Sequence, residues 1–305
     1  MLKLILRRLL GMIPILFIII TLTFFLLRFA PGNPFANEKA FPPKVIQELN
    51  KQYGLDKPLY IQYINYISEL TKGNLGPSTR YAGKTVSEII GEHLPTSLLL
   101  GLIAYGFALI VGVSIGIISS LRQNSAVDYF SMAVAMLGIS VPSFVLGPLL
   151  VIVFSLTLFW LPPARWGEPK HLILPALTLS GVYIAYIARL TRSGMLEVLR
   201  ADYIRTARAK GLAESVVVLR HALRGGIIPV VSFTGPALTF LLAGTIVVEK
   251  IFAVPGLGRI FIEAANSRDY FLVMGLTLFV STVLVVMNLL VDIIIGLLDP
   301  RISYK

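Results

Sequence analysis

Six long apolar runs separated by polar stretches organise this chain. They are Leu9 to Phe29, Ser97 to Ser120, Tyr129 to Leu161, Leu172 to Ala188, Ile227 to Val248 and Phe271 to Leu298. Roughly 20 mostly apolar residues cross about 30 Å of hydrocarbon as a helix, so each run predicts a membrane span. The third run is too long for one straight span, and Pro142, Gly147 and Pro148 predict a kink within it. Lys3, Arg7 and Arg8 precede the first run, as in a signal peptide. That run is nevertheless too long for a signal core. It ends in Arg28-Phe29-Ala30-Pro31 and not in a small-x-small cleavage site, which predicts an uncleaved span.

The composition agrees. Of 305 residues, 56% are hydrophobic and 14% charged, and the mean hydropathy is +0.81; soluble domains carry about 25% charged residues. The fold class is therefore an all-α membrane protein of about six transmembrane helices. The net charge of +11 bears on orientation and not on nucleic acid. Residues 1–8, 121–128, 189–228 and 299–305 hold 14 Lys and Arg against five acids, and the opposite loops hold 12 against 10. Seven of those 12 lie in the long segment 30–96, where the positive-inside rule weakens. Both termini are thus expected in the cytoplasm of a multi-pass membrane protein, with Trp160 and Trp166 at the outer interface. Three units follow: residues 1–29 with the first span, an external region 30–96, and a membrane core 97–305 containing a basic cytoplasmic loop at 189–228.

Catalytic chemistry is not legible. Cysteine is absent, and His93, His171 and His221 share no ligand spacing, so neither a metal site nor a thiol nucleophile is expected. Gly83-Lys84-Thr85 imitates part of a phosphate-binding loop, but the glycine required five positions earlier is Ser78. No G-x-S-x-G elbow accompanies the scattered serines. The chain is expected to hold no cofactor, to have no catalytic residues and to hydrolyse no ATP.

Three features carry information. Ala104, Ala108, Gly112, Gly116 and Ser120 recur every fourth residue, a ridge of small side chains that admits a close helix neighbour, more simply within the chain than between subunits. Asp292 lies inside the sixth run beside Asn288 and reads as a hydrogen-bonded structural acid. In the 189–228 loop, Leu199 to Lys210 suits a helix that stops at Gly211, and an apolar periodicity resumes from Val216 to Leu223 before Gly225-Gly226. A pair of short helices about a glycine turn suggests a docking element.

At this loop the sequence resembles the permease subunits of bacterial ABC importers, whose cytoplasmic loop carries E-A-A, three residues, then glycine. Arg205-Thr206-Ala207 takes the E-A-A place and Gly211 the glycine. The run through Arg208, Ala209 and Lys210, with Leu219-Arg220-His221-Ala222-Leu223-Arg224 beyond it, matches the oligopeptide and dipeptide branch. Gly225-Gly226 stands where that branch commonly has Asn-Ala. Arg28-Phe29-Ala30-Pro31-Gly32-Asn33-Pro34 is similar to the branch's A-P-G-[DN]-P after the first span. Glu249 to Gly258, with Arg268-Asp269-Tyr270, is similar to its E-x-x-F-x-x-P-G-L-G and R-D-Y after the fifth. The resemblance implies the type I ABC importer transmembrane fold with a cytoplasmic coupling helix. It places contact with an ATPase on Arg205, Thr206, Ala207, Arg208, Lys210, Gly211 and Leu212, and the external-loop motif on Pro255, Gly256, Gly258 and Asp269. It also implies a heterodimer with a second homologous permease, two cytoplasmic ATPase subunits that bind ATP and Mg, an external peptide-binding protein, and a place in the bacterial inner membrane. Dipeptide, nickel or other solute permeases of the same family are the neighbouring readings. An ion-coupled carrier would need intramembrane ionisable pairs and inverted repeats, and neither is evident.

Overall fold

The computed structural model describes residues 2–30, 43–244 and 246–298. Pro31-Gly32-Asn33-Pro34 of the first motif, and the C-terminal charges after Leu298, lie outside the described residues. Among the described residues the regular elements are helices, joined by turns and loops, with one isolated bridge between Pro77 and Thr85.

Among the described residues, four helices are long and apolar enough to cross a membrane: α1 (Leu2–Phe29), α4 (Val86–Leu121), α7 (Lys170–Leu199) and α14 (Tyr270–Leu298). Two bent pairs raise the number to six. In the first, α5 (Ala126–Ser140) meets α6 (Ser143–Leu150) and the widened turns Val151–Thr157 at 103°. The break falls at Val141-Pro142, where the proline ring forbids helical backbone at the residue before it. In the second, Glu214–Gly226 meets α11 (Ile228–Gly244) at 53°. The count is six if each bent pair is one span, and the third apolar run bends at its proline as expected. Large apolar side chains remain exposed around the bundle, Leu10, Ile110, Phe130 and Phe240 among them, as a lipid-facing surface requires and a water-facing one forbids.

Two boundaries differ from the sequence reading. α4 begins at Val86, not Ser97, because Thr85 caps it: its hydroxyl accepts from Glu88 N at 3.3 Å while the Glu88 carboxylate accepts from Thr85 N at 2.8 Å. Gly83-Lys84-Thr85 is thus a turn, with Gly83 at φ +79°, leading into a capped helix. At 36 residues, α4 is about 54 Å long at 1.5 Å per residue, so it projects beyond the hydrocarbon. α7 likewise continues past Ala188 to Leu199, so the first part of the 189–228 segment is a helix and not a loop.

The helices pack through small residues. A Cβ added at Gly112 would come within 2.8 Å of Ile187, and one at Gly116 within 2.7 Å of the Ala188 carbonyl. The ridge at 104–120 therefore receives α7, within the chain. Gly138 of α5 meets Gly181 of α7 backbone to backbone. Around these contacts Leu100, Ala104, Ala108, Leu174, Ile187, Leu241 and Phe252 form the main core. At one end of α4 and α7 lie α2 (Pro43–Gln52), α3 (Leu59–Thr71), α12 (Ile246–Ile251) and α13 (Leu257–Ser267). At the other end lie α8 (Asp202–Ala209), α9 (Glu214–Val216) and, after the widened turns Val217–Ala222, α10 (Leu223–Gly226).

Candidate coupling hairpin and end-cap motif

α8 is a two-turn amphipathic helix held by one face. Ile204 and Ala207 are buried against Met195, Val217, Val218 and Ala222, burial that stabilises by roughly 25 cal/mol per Å² of apolar surface. The other face carries Arg205, whose side chain is 74% exposed and lies 3.6 Å from Asp202. Thr206 donates to the Asp202 carbonyl at 3.0 Å. The helix stops as expected: Lys210 N donates to Thr206 O at 3.1 Å, Gly211 N donates to Arg208 O at 2.9 Å, and Gly211 takes φ +75°. A Cβ there would meet nothing within 4 Å, so the demand for glycine is conformational and not steric.

Arg205 and Arg208 lie three residues apart on α8. Both side chains are exposed, and each has an acidic neighbour. Arg208 forks onto Glu214, at 2.6 Å through Nη2 and 3.1 Å through Nε, closing the hairpin across Gly211. The pairing holds the Glu214 carboxyl below its ordinary range and raises the Arg208 guanidinium. Leu212 is 40% exposed, and Tyr203, Val216 and Leu219 are also open. Apolar side chains left open on a short hairpin have the character of a protein contact.

The hairpin is seated directly on α7. A Cβ on Gly194 would overlap the Gly226 carbonyl, and one on Gly226 would come within 2.7 Å of Met195 Sδ. Gly225-Gly226 therefore brings the backbone of α10 onto that of α7. Arg200 adds a bond to Gln123 at 3.1 Å. Arg192 forks onto the buried Asp128 at 2.8 and 2.6 Å, and Asp128 also accepts from Ser119 and from Asn124 N at 2.9 Å. This group ties α4, α5 and α7 together beneath the hairpin. Sequence reading counted Asp128 only as a loop charge, although Ser125-x-x-Asp128 is a capping pattern.

At the opposite end the second motif resolves into caps. Glu249 is fully buried; it accepts from Ser97 Oγ at 2.9 Å and from Arg259 N, in the first turn of α13, at 2.9 Å. Ser97 in turn accepts from Leu257 N at 2.8 Å. A side chain on Gly256 would collide with Glu249 and Ser97, and one on Gly258 would meet the backbone of Ile246 at 2.8 Å. Pro255 follows the left-handed Ala253 and leads the chain into α13. Arg268, at φ +57°, ends α13, and Asp269 begins α14 by accepting from Leu272 N at 3.1 Å. The same carboxylate accepts from Ser78 Oγ at 2.5 Å, Thr79 N at 3.0 Å and Arg80 N at 3.2 Å. Two segments far apart in sequence, 76–97 and 249–270, are thereby one structural unit.

No group of three or more His, Cys, Asp or Glu able to hold a metal occurs among the described residues. Asp292 is ion-paired with Arg8 at 2.8 Å, which joins α14 to α1.

Comparison with known proteins gives a consistent result. Residues 112–304 match the family described as binding-protein-dependent transport system inner membrane component, and residues 1–100 match its N-terminal companion. The oligopeptide transport system permease protein OppB of Haemophilus influenzae is 45% identical over the whole of both chains. The dipeptide transport system permease protein DppB of Bacillus subtilis is 43% identical over 97% of this chain and 96% of its own. Among solved structures, the MetNI methionine ABC transporter in inward-facing conformations shares the fold, with a TM-score of 0.57 at 16% identity over 70% of this chain and 97% of that one.

Proposed function

The chain belongs to the binding-protein-dependent transport family of inner-membrane components, and from that premise we propose that it is one of two homologous permeases in an ATP-driven importer of peptides. Oligopeptides are the favoured cargo, since full-length relatives at 45–46% identity carry that name. Two ATPase subunits at the hairpin supply the energy, holding ATP and Mg themselves, and an external binding protein delivers the peptide. Both termini lie in the cytoplasm.

The observation that carries the reading is the hairpin. A rigid pair of short helices presents Arg205, Leu212 and Leu219 away from the bundle, while Gly194 and Gly226 fix its other side to a spanning helix. A partner that moves the hairpin must move α7 with it, as packed elements shift as rigid bodies. Residues Thr206, Ala207, Lys210 and Gly211 shape the hairpin, and Arg205 and Leu212 meet the ATPase. The unit formed by 76–97 and 249–270, with α2 and α3 beside it, faces outward and receives the binding protein. Pro255, Gly256, Gly258 and Asp269 act there by holding its shape.

Membranes containing the chain, its homologous partner and tagged ATPases are expected to yield one complex that takes up labelled oligopeptide only with ATP and binding protein. Uptake driven by an ion gradient with ATP absent would overturn the proposal. An Asn65→Cys thiol, unique in a chain without cysteine, is expected to react with impermeant maleimide from outside; reaction only from the cytoplasmic side would reverse the topology.

A further inference from the structure

Where α1 ends, a cavity of about 210 Å³ opens among Arg28, Gln62, Asn65, Tyr66, Asn74 and Phe271. Three of its lining residues carry buried polar atoms with no hydrogen-bond partner among the described residues: Arg28 Nε, Gln62 Oε1 and Tyr66 Oη. Tyr66 is only 4% exposed. Buried polar atoms without a protein partner are rare, and three around one cavity are the groups that whatever fills it must meet.

The three atoms are held, not loose. Arg28 lies over the rings of Phe24 at 5.1 Å and Tyr270 at 4.6 Å. The Gln62 amide is fixed because its Nε2 donates to Leu55 O at 3.1 Å and to Lys57 O at 2.7 Å, which leaves Oε1 as the acceptor. Gln62 and Tyr66 are one helical turn apart on α3. Burial pushes the Tyr66 phenol well above the ordinary tyrosine range, so it stays a proton donor at neutral pH.

Charge selects the guest. Arg28 is the cation of the lining, and the one acid there, Glu69, is already met by Lys72 at 2.7 Å and Asn74 at 2.9 Å. Arg28 and Tyr66 offer two donors to an anion, and Gln62 offers one acceptor to a neighbouring N–H. We propose that this cavity is a binding site for a carboxylate flanked by an N–H group, the chemistry shared by the C-terminal residue of a peptide and a free amino acid. The cavity takes one such residue, with Phe271 as its apolar wall. Carboxylate recognition follows from the lining itself; the peptide as its source rests on the importer reading.

The test is protection of an Asn65→Cys thiol, because Asn65 lines the cavity and is exposed. The assembled transporter in lipid nanodiscs, without binding protein or ATP, is treated with maleimide in the presence of tri-L-alanine, L-alanine or C-terminally amidated tri-L-alanine. At ten times its Kd a guest is expected to slow modification roughly tenfold by simple occupancy. The free acids protect and the amide does not. Protection by tripeptide alone assigns the site to peptide ends, and protection by alanine alone assigns it to amino acids; either supports carboxylate recognition. Tyr66→Phe, which keeps the ring packing, is expected to abolish protection, and Arg28→Lys to weaken it should the first variant assemble poorly. Equal protection by acid and amide, no protection by any of the three, or full protection in both variants overturns the proposal. Because nothing is transported, a failed importer reading leaves this readout standing.

Discussion

Single residues carry the parts of this structure that tolerate least change. Asp128 is 1% exposed and accepts from Ser119, Asn124 N and the fork of Arg192. Asp128→Asn removes the charge while keeping the size, and leaves the Arg192 guanidinium without its counter-ion. A loss of about 1–3 kcal/mol is expected, the cost of unmaking a charged, buried hydrogen bond, read as a lower Tm in detergent. An unchanged Tm would show that the group is ornamental. Gly211 is the converse case, with open space and a positive φ. Gly211→Ala is expected to cost about 1–2 kcal/mol of local stability by conformation alone, with no contribution from clash, and to reduce uptake without abolishing it. The glycine stop was legible in the sequence from its place after a helical stretch. Asp128 was not, since its partner Arg192 lies on another helix and sequence shows no such pairing.

At the scale of elements, the apolar runs announced the spans because a bilayer demands a length and a polarity that little else produces. They misplaced the starts and stops. α4 begins in polar sequence because the Thr85–Glu88 box nucleates it, and α7 outlasts its apolar run by continuing to Leu199. The T-x-x-E signature was present to be read; the glycine contact between α7 and α10 was not, since it depends on both helices being in place. Gly226→Val is expected to lever the hairpin off α7 and to uncouple ATP hydrolysis from uptake at normal membrane abundance. Normal coupling would mean that motion passes elsewhere. The Arg208–Glu214 clasp is exposed, so a double-mutant cycle is expected to give under about 1 kcal/mol. Its pH dependence has a definite sign. Arg208 depresses the Glu214 carboxyl, so the coupling is fully present above the ordinary glutamate value of about 4.3 and is lost as pH falls through the lowered one. A coupling energy that vanished between pH 7 and pH 5 would contradict the pairing.

For the whole molecule, the two ends divide the labour. Caps and glycine contacts lock 76–97 to 249–270 at one end, and a hairpin with open apolar residues stands at the other. α4 and α7 run between them. The family, and the order of its motifs along the chain, could be read from sequence; that the motif at 249–270 is a set of helix caps could not, because its partners Ser97 and Ser78 lie more than 150 residues away. The central claim is that the hairpin about Gly211 transmits ATP use to the membrane helices. Its most direct test measures peptide uptake and binding-protein-stimulated ATPase activity together, in vesicles holding matched amounts of the native transporter and the Gly211→Val variant. The account predicts normal insertion, uptake abolished, and ATPase activity either lost with the partner or no longer answering to substrate. Normal uptake by Gly211→Val at normal abundance would make the hairpin a passive linker and contradict it.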